Sequence, residues 1–280
     1  MALRSFIRPF QNRLLFSRTY SGSNNVVNVT IDNNKIATIT MNKKPINVLT
    51  AAFLTEINDA FKNLEGKVKG AILTSGLPTV FSGGLDINVM YKPEKQNVAA
   101  LWNTLQEVWV TLLSTSYPTV AVINGNSPAG GCLLSMCCEY RIMVDNFIIG
   151  MNETKLGLVP PFWVRDVMRC LIGYRETELA LTTGILFTTE EAFKIGLVNQ
   201  KTTNKEEALS KAINFFERFN NVNPMARQLT KTSLHQDIIA NLRKKQLQDT
   251  NEFVSFICQD SIQKVIESYL EALQKKKAKK

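Results

Sequence analysis

The sequence predicts an α/β fold in which a mostly parallel sheet precedes a helical C-terminal region. Up to about residue 150, short apolar runs typical of strands alternate with segments whose apolar residues recur every three to four positions. Beyond Val164 the apolar residues follow helical spacing almost throughout. Alternating strands and helices favour parallel pairing, and 280 residues, 45% of them hydrophobic, suit one sizeable domain.

The first half of the chain predicts a hairpin followed by two strand–helix–strand crossovers. The hairpin turns at Asp32-Asn33-Asn34, between alternating apolar residues. Thr50 can cap the first crossover helix, and the apolar stripe of the second places Trp102 and Trp109 in the core. The predicted elements are strands at 26–30, 36–41, 71–75, 118–125, 140–144 and 147–150, and helices at 53–64, 98–112 and 130–138.

The second half predicts one late strand, at 195–199, and a set of long amphipathic helices. The helices are expected at residues 208–219, 225–247 and 253–273. We place a boundary near residue 220, which separates a core domain at 21–220 from a helical region at 221–280.

The net charge of +9 is concentrated at the two ends of the chain. Four arginines lie within the first twenty residues, and five lysines lie within the last six. Without these nine cations the remaining charges balance, so a broad basic face for nucleic acid is not expected. No apolar run approaches 18 residues, so no membrane span is expected either.

Residues 1–20 contain arginines at regular intervals and no acidic residue. This composition is typical of a mitochondrial transit peptide, and it predicts localisation in the mitochondrial matrix. A secretory signal would need a continuous apolar core, which Arg4, Arg8 and Arg13 interrupt. The alternative is a disordered basic arm.

Cysteine and histidine usage argues against metal and triad chemistry. The five cysteines include no C-x-x-C pair, which predicts buried free thiols in a reducing compartment and no metal site. His235 is the only histidine, and it lies on a polar helix where we expect it to be solvated. A Ser–His triad is therefore disfavoured.

Two glycine-rich loops each follow a predicted strand. They are Phe81-Ser82-Gly83-Gly84-Leu85-Asp86-Ile87 and Ser127-Pro128-Ala129-Gly130-Gly131-Cys132. Because ligands lie beyond the carboxyl ends of parallel strands, one N–H from each loop could stabilise the same developing oxyanion. The alternative is that the glycines serve only as turn residues.

Glu153 is the candidate for proton transfer. Its neighbours in sequence are largely apolar, and burial among them would raise the pKa of its carboxyl. A carboxyl that titrates near pH 7 suits general acid–base chemistry. The alternative is a helix-start acid, since the N-termini of helices favour negative charge.

The two loops, followed by Asn152-Glu153-x-x-Leu156-Gly157, resemble the crotonase (enoyl-CoA hydratase/isomerase) superfamily over about residues 25–275. The resemblance implies a crotonase-like spiral of β-β-α units with a helical C-terminal region that forms a homotrimer. It also implies a fatty enoyl-CoA thioester as substrate. No metal or other cofactor is implied, since coenzyme A is part of the substrate.

The same resemblance implies a set of site residues. Glu153 would be catalytic, and the amides of Gly83 and Gly130 would form the oxyanion hole. The implied substrate-binding residues are Gly83, Gly84, Leu85, Asp86, Ile87, Gly130 and Asn152. Two alternatives stay open from the residues themselves: Asn152 could instead be a capping residue, and Asp86 has a position compatible with helix capping.

Leu133 bears on the reaction type, because hydratases of this family carry an acid at that position. The resemblance therefore implies an isomerase that converts 3-enoyl-CoA to trans-2-enoyl-CoA by a 1,3-proton shift in the β-oxidation of unsaturated fatty acids. Lys43 and Lys44 are candidates for the phosphates of coenzyme A, or a solvated pair. The alternative functions are enoyl-CoA hydration, another crotonase-type reaction, or an inactive acyl-CoA- or RNA-binding member.

Overall fold

The computed structural model describes residues 18–20 and 26–278. In that part of the chain the strands are β1 Arg18–Tyr20, β2 Val27–Ile31, β3 Ile36–Met41, β4 Gly70–Ser75, β5 Thr119–Ile123, β6 Ser127–Pro128, β7 Tyr140–Val144, β8 Ile148–Gly150, β9 Phe187–Thr188 and β10 Gln200–Thr202. The α-helices are α1 Ala51–Asn63, α2 Lys95–Ser114, α3 Gly130–Met136, α4 Phe162–Thr183, α5 Thr189–Lys194, α6 Lys205–Phe216, α7 Pro224–Ile257 and α8 Asp260–Ala278. Short 3-10 helices occur at Ile87–Val89, Glu153–Leu156 and Glu217–Phe219.

The main sheet of the described residues has seven strands, in the order β1-β2-β3-β4-β5-β7-β10. β2 and β3 form the predicted antiparallel hairpin, whereas β3, β4, β5, β7 and β10 are parallel. The helices α1 and α2 connect β3 to β4 and β4 to β5, which confirms the two predicted crossovers. Every residue of β4 and β5 is buried, as expected for parallel strands covered on both faces.

The edge strand β1 comes from the end of the predicted transit peptide. It pairs antiparallel with β2, and Thr19 lies opposite Thr30. Residues 1–17 lie outside the described residues, so the transit peptide at 1–20 stays a prediction.

The start of α1 follows the capping chemistry expected of Thr50. The Thr50 side chain accepts a hydrogen bond from the Phe53 N–H at 3.3 Å. The predicted apolar stripe is buried, with Leu54, Ile57 and Phe61 in the core. The cap therefore fixes where the first crossover helix begins.

A second, three-stranded sheet in the order β6-β8-β9 brings the later glycine-rich loop next to Glu153. β6 pairs in parallel with β8, and Ser127 lies opposite Ile149. The Ala129 N–H then donates to the Gly150 carbonyl at 2.8 Å. Because Glu153 follows β8 by three residues, this pairing sets the start of α3 close to that carboxyl.

The prediction of a strand at 195–199 is wrong. These residues form the turn after α5, and the late strand is β10, which begins at Gln200. Gly196 has a φ of +80°, a left-handed conformation that no strand accommodates. The apolar residues Leu197 and Val198 are buried in that turn, which explains why their pattern suggested a strand.

The predicted break between two C-terminal helices is misplaced. α7 continues through residues 248–252 to Ile257, and the break comes at Cys258 and Gln259. Asp249 and Thr250 are buried and hydrogen-bonded to side chains of α2. The inward face of α7 is therefore polar over this turn, and a helix boundary based on apolar spacing alone fails there.

The C-terminal helices close over the loops that follow the sheet. Gln263 on α8 donates to the Met90 carbonyl at 2.8 Å, and Tyr91 donates through its hydroxyl to Glu267 at 2.5 Å. Among residues 18–20 and 26–278, no helix has the length and hydropathy to cross a membrane, and no cluster of His, Cys, Asp or Glu is arranged to hold a metal ion. The boundary near residue 220 and the role of 221–280 in trimer formation stay predictions.

Candidate active site

A cavity with a free volume of ≈ 40 Å³ lies between the glycine-rich loops and the C-terminal helices. It is lined by Leu85 from the first loop, Gly130 from the second, and Glu153. The remaining lining is apolar and includes Leu133, and Glu153 is the only ionisable group among the thirteen lining residues described. An apolar pocket in which a few polar groups converge is the common form of a small-molecule site.

The first loop presents the amide of Leu85 to this cavity. A short bridge holds the loop against Leu49: the Leu49 N–H donates to Gly84 O at 2.9 Å, and the Asp86 N–H donates to Leu49 O at 3.2 Å. Since successive backbone groups of an extended segment alternate in direction, the N–H of Leu85 points away from Leu49. Within the described chain this N–H has no protein acceptor.

The second loop brings the amide of Gly130 to the same place. The nitrogen of Leu85 lies 3.4 Å from where a Cβ on Gly130 would stand, and a Cβ on Gly84 would lie 3.5 Å from the nitrogen of Gly130. Gly130 is the first residue of α3, so its N–H has no partner inside the helix. The two amides therefore lie side by side at the cavity wall, as an oxyanion hole requires.

Gly84 makes this close approach possible. Its φ is +86°, and a Cβ there would meet the Ala129 Cβ at 3.2 Å. Ala129 itself has φ 50° and ψ −120°, a conformation that is strained for a residue with a side chain. The loops are thus pressed together beside the cavity, where backbone strain often marks function.

The assignment of Gly83 to the oxyanion hole is wrong. Its N–H donates to the Ile46 carbonyl at 2.8 Å, and Gly83 does not line the cavity. The amide that is free is that of Leu85, two residues later. The glycine pair predicted which loop lies at the cavity. Its structural role is to let the loop bend at Gly84, whereas the N–H of Gly83 is bound to Ile46.

Glu153 carries the electrostatic signature expected of a proton carrier. It begins the 3-10 helix Glu153–Leu156, and its Oε2 is buried with no hydrogen-bond partner among the described residues. Desolvation raises the pKa of this carboxyl from 4.5 to about 7, and a hydrogen bond from its own backbone acts in the opposite direction. An unpaired oxygen gives little support to the capping alternative and leaves the carboxyl available to a ligand.

The burial of Glu153 should show in the pH dependence of stability. We expect Glu153→Gln to raise the free energy of unfolding at pH 8 and to change it little at pH 4. The folded pKa of about 7 lies above the unfolded value near 4.5, so stability falls as the pH rises from about 4.5 through 7. Above that range the buried charge costs up to about 3 kcal/mol, which a neutral amide avoids.

Urea unfolding at both pH values measures this difference. Glu178→Gln is the matched control, because Glu178 is an exposed acid on α4. It should change stability little at either pH. An equal effect of Glu153→Gln at pH 4 and pH 8 would contradict the proposed desolvation.

Of the seven residues expected to bind substrate, Leu85 and Gly130 line the cavity. Asp86 caps the 3-10 helix Ile87–Val89, accepting from the Asn88 N–H at 3.1 Å, which confirms its capping geometry. Ile87 packs against the core. The Asn152 side chain does not cap the helix that follows it, and its buried Oδ1 has no partner among the described residues.

Trp102 and Asp249 are site residues that the sequence analysis did not identify as such. Trp102 lines the cavity, and its Nε1–H donates to Asp249 Oδ2 at 2.7 Å. The same oxygen accepts from Gln106 at 2.7 Å and from Trp163 Nε1–H at 3.1 Å. Trp109 is a core residue, as predicted. The apolar spacing of α2 predicts that both tryptophans are buried. No pattern in the sequence predicts that Asp249 binds Trp102.

Other residues considered in the sequence lie outside the cavity. His235 was expected to be solvated, but it is half-buried, and burial lowers the pKa of its imidazole. Lys43 donates to Thr50 at 2.6 Å, and burial lowers the pKa of its amine, whereas Lys44 is exposed. The described cysteines are free, and three of them are buried as expected, whereas Cys170 is exposed and Cys258 is only partly buried.

Comparison with known proteins places the chain among acyl-CoA enzymes. Residues 32–279 match the protein family described as enoyl-CoA hydratase/isomerase. The chain is 41% identical to enoyl-CoA delta isomerase 1, mitochondrial, of Mus musculus, over 86% of this chain and 85% of that protein. The Homo sapiens protein of the same name is 39% identical over 86% and 81%. The crystal structure of human mitochondrial delta3-delta2-enoyl-CoA isomerase matches with a TM-score of 0.87 and 38% identity, covering 90% of this chain and all of that one.

Proposed function

The chain belongs to the enoyl-CoA hydratase/isomerase family, and we propose that it is a Δ3,Δ2-enoyl-CoA isomerase that converts 3-enoyl-CoA to trans-2-enoyl-CoA. The predicted crotonase-like fold is confirmed by the structural match. The observation that carries the proposal is the single carboxyl of the cavity. Glu153 is the only acid among the described residues that line it, and buried Leu133 occupies the position where the family's hydratases have a second acid.

The amides of Leu85 and Gly130 hold the thioester oxygen in this proposal. A proton on C2 of a 3-enoyl thioester is acidified by the carbonyl and by the adjacent double bond. Its removal moves negative charge to the thioester oxygen, where two N–H donors are already in place. Donors without a protein partner need not break an existing bond to receive that charge.

Glu153 carries the proton. Its ionised carboxylate takes the proton from C2, which gives a dienolate and a neutral carboxylic acid. The acid then donates the same proton to C4, the thioester carbonyl re-forms, and the double bond lies between C2 and C3. Atoms and charges balance without a co-reactant. A carboxyl with a pKa of about 7 suits both steps, since its ionised and neutral forms are about equally accessible at neutral pH.

Leu133 disfavours hydration. Addition of water needs a group that orients and activates the water molecule, and two acids share that work in hydratases. Leu133 is apolar and only 2% exposed, so it offers no such group. In the proposed reaction the proton that leaves C2 therefore returns to the substrate at C4, and no water is added to the double bond.

The assembly, the location and the coenzyme A contacts belong to the same proposal. We propose a homotrimer in the mitochondrial matrix that acts in the β-oxidation of unsaturated fatty acids without a cofactor. Large apolar side chains are exposed on α7, including Met225, Leu229 and Leu234, and a subunit interface would cover them. Lys43 and Lys44 stay candidates for the phosphates of coenzyme A.

Incubation of the purified chain with two substrates tests the reaction type. With 3-hexenoyl-CoA we expect conversion to trans-2-hexenoyl-CoA, which is monitored through the absorbance of the conjugated thioester. With trans-2-hexenoyl-CoA in water we expect no 3-hydroxyhexanoyl-CoA. Formation of the hydroxy product would support a hydratase and overturn the proposal. Absence of any turnover would support an inactive acyl-CoA-binding member and would also overturn it.

A further inference from the structure

One wall of the cavity is made of two stacked aromatic rings. Trp102 from α2 and Phe253 from α7 both line the cavity. Their ring centroids are 3.6 Å apart and their planes differ by 8°. At that separation the two faces are in van der Waals contact, so no alkyl chain passes between them.

The indole of Trp102 is held in place from behind. Its Nε1–H donates to Asp249, whose Oδ2 also accepts from Gln106 and Trp163. Asp249 is 9% exposed, so water is in a poor position to replace a lost donor. Rotation of the indole would leave a buried carboxylate short of one hydrogen bond, which opposes any movement of this wall.

The rest of the apolar lining is more adaptable. Met90 and Met151 have flexible side chains that can adjust to a ligand. Val159 is 65% exposed, which places it toward the solvent. The free volume of the cavity, ≈ 40 Å³, is well below the roughly 300–1,000 Å³ common for ligand pockets, so little space is available to a long chain unless the lining moves.

We infer that the stacked pair of Trp102 and Phe253, fixed by Asp249, sets the upper limit of acyl-chain length. The inference rests on the proposed isomerase function. Short 3-enoyl chains fit between the oxyanion amides and the aromatic wall, whereas long chains meet the wall before the thioester reaches the amides. Trp102 and Phe253 determine specificity through contact with the acyl chain, and Asp249 is a positioning residue.

Truncation of Phe253 tests the wall. For the wild-type chain we expect a higher kcat/KM with 3-hexenoyl-CoA than with 3-dodecenoyl-CoA. Phe253→Ala should raise the long-to-short ratio of kcat/KM about tenfold or more, because each methylene group that a pocket accepts or rejects changes kcat/KM by about that factor. Phe253→Leu, which keeps more of the apolar contact, should shift the ratio in the same direction by less and guards against a folding defect in the alanine variant.

Phe256→Ala is the matched control. Phe256 lies on the same helix, is half-buried like Phe253, and is not part of the cavity lining. Its truncation should lower thermal stability without changing the chain-length ratio. An unchanged ratio in active Phe253 variants, or an equal shift in Phe256→Ala, would overturn the inference alone. A wild-type chain that isomerises neither substrate would overturn the proposed function on which it rests.

Discussion

Glu153→Gln is expected to lower kcat for 3-enoyl-CoA isomerisation by roughly 10²- to 10⁴-fold, the range for loss of a general acid–base group. In the proposed mechanism both proton transfers pass through this one carboxyl, and no other ionisable side chain among the described residues lines the cavity. An amide of nearly the same shape keeps the pocket intact. The Kd for a 2-enoyl-CoA product, measured by calorimetry, should therefore change little.

The pH profile separates a proton carrier from a residue that only shapes the pocket. In the wild-type chain kcat/KM should rise with pH and level off above about 7, because the free enzyme must hold Glu153 ionised to act as a base. The residual rate of Glu153→Gln should lack that transition. Glu178→Gln should keep both rate and profile. If Glu153→Gln retained wild-type kcat, the proposed mechanism would be wrong.

The sequence could predict which segments form the site but not which backbone atom acts. Glycine pairs after buried strands indicated both loops, and apolar neighbours indicated a perturbed Glu153. The donor that we propose in the first loop is the amide of Leu85, because the bridge engages the Gly84 carbonyl and the Asp86 N–H with Leu49 and leaves the Leu85 N–H pointing away. That choice depends on a pairing between residues 36 positions apart, which no local pattern reveals.

The C-terminal helices show the same limit for side chains. Apolar spacing suggested a break at 248–252, whereas Asp249 faces inward and is bound by Trp102 and Trp163. Most buried polar groups are hydrogen-bonded, and the side chains that donate to Asp249 come from α2 and α4. The aromatic wall of the cavity thus depends on three helices that become neighbours only in the folded chain.

Removal of a single N–H tests the assignment of Leu85 directly. Leucic acid in place of Leu85 keeps the side chain and replaces the amide N–H by an ester oxygen. We expect kcat to fall about 10²- to 10³-fold, the typical loss of one oxyanion-hole donor. The Tm should change little, because this N–H has no protein acceptor in the described chain and Gly84 O remains an acceptor, though a weaker one, for Leu49.

Leucic acid at Leu49 gives a control with the same residue type in the same bridge. Its N–H donates to Gly84 O at 2.9 Å, so its loss should lower the free energy of unfolding by about 1 kcal/mol and leave most of kcat. The opposite pattern, with stability lost at position 85 and kcat lost at position 49, would contradict the assignment. If Gly83 supplied the amide instead, the ester at Leu85 would leave kcat near the wild-type value. The hydrogen bond between Gly83 and Ile46 argues against that result, since a donor already paired at 2.8 Å must give up one acceptor before it can stabilise another.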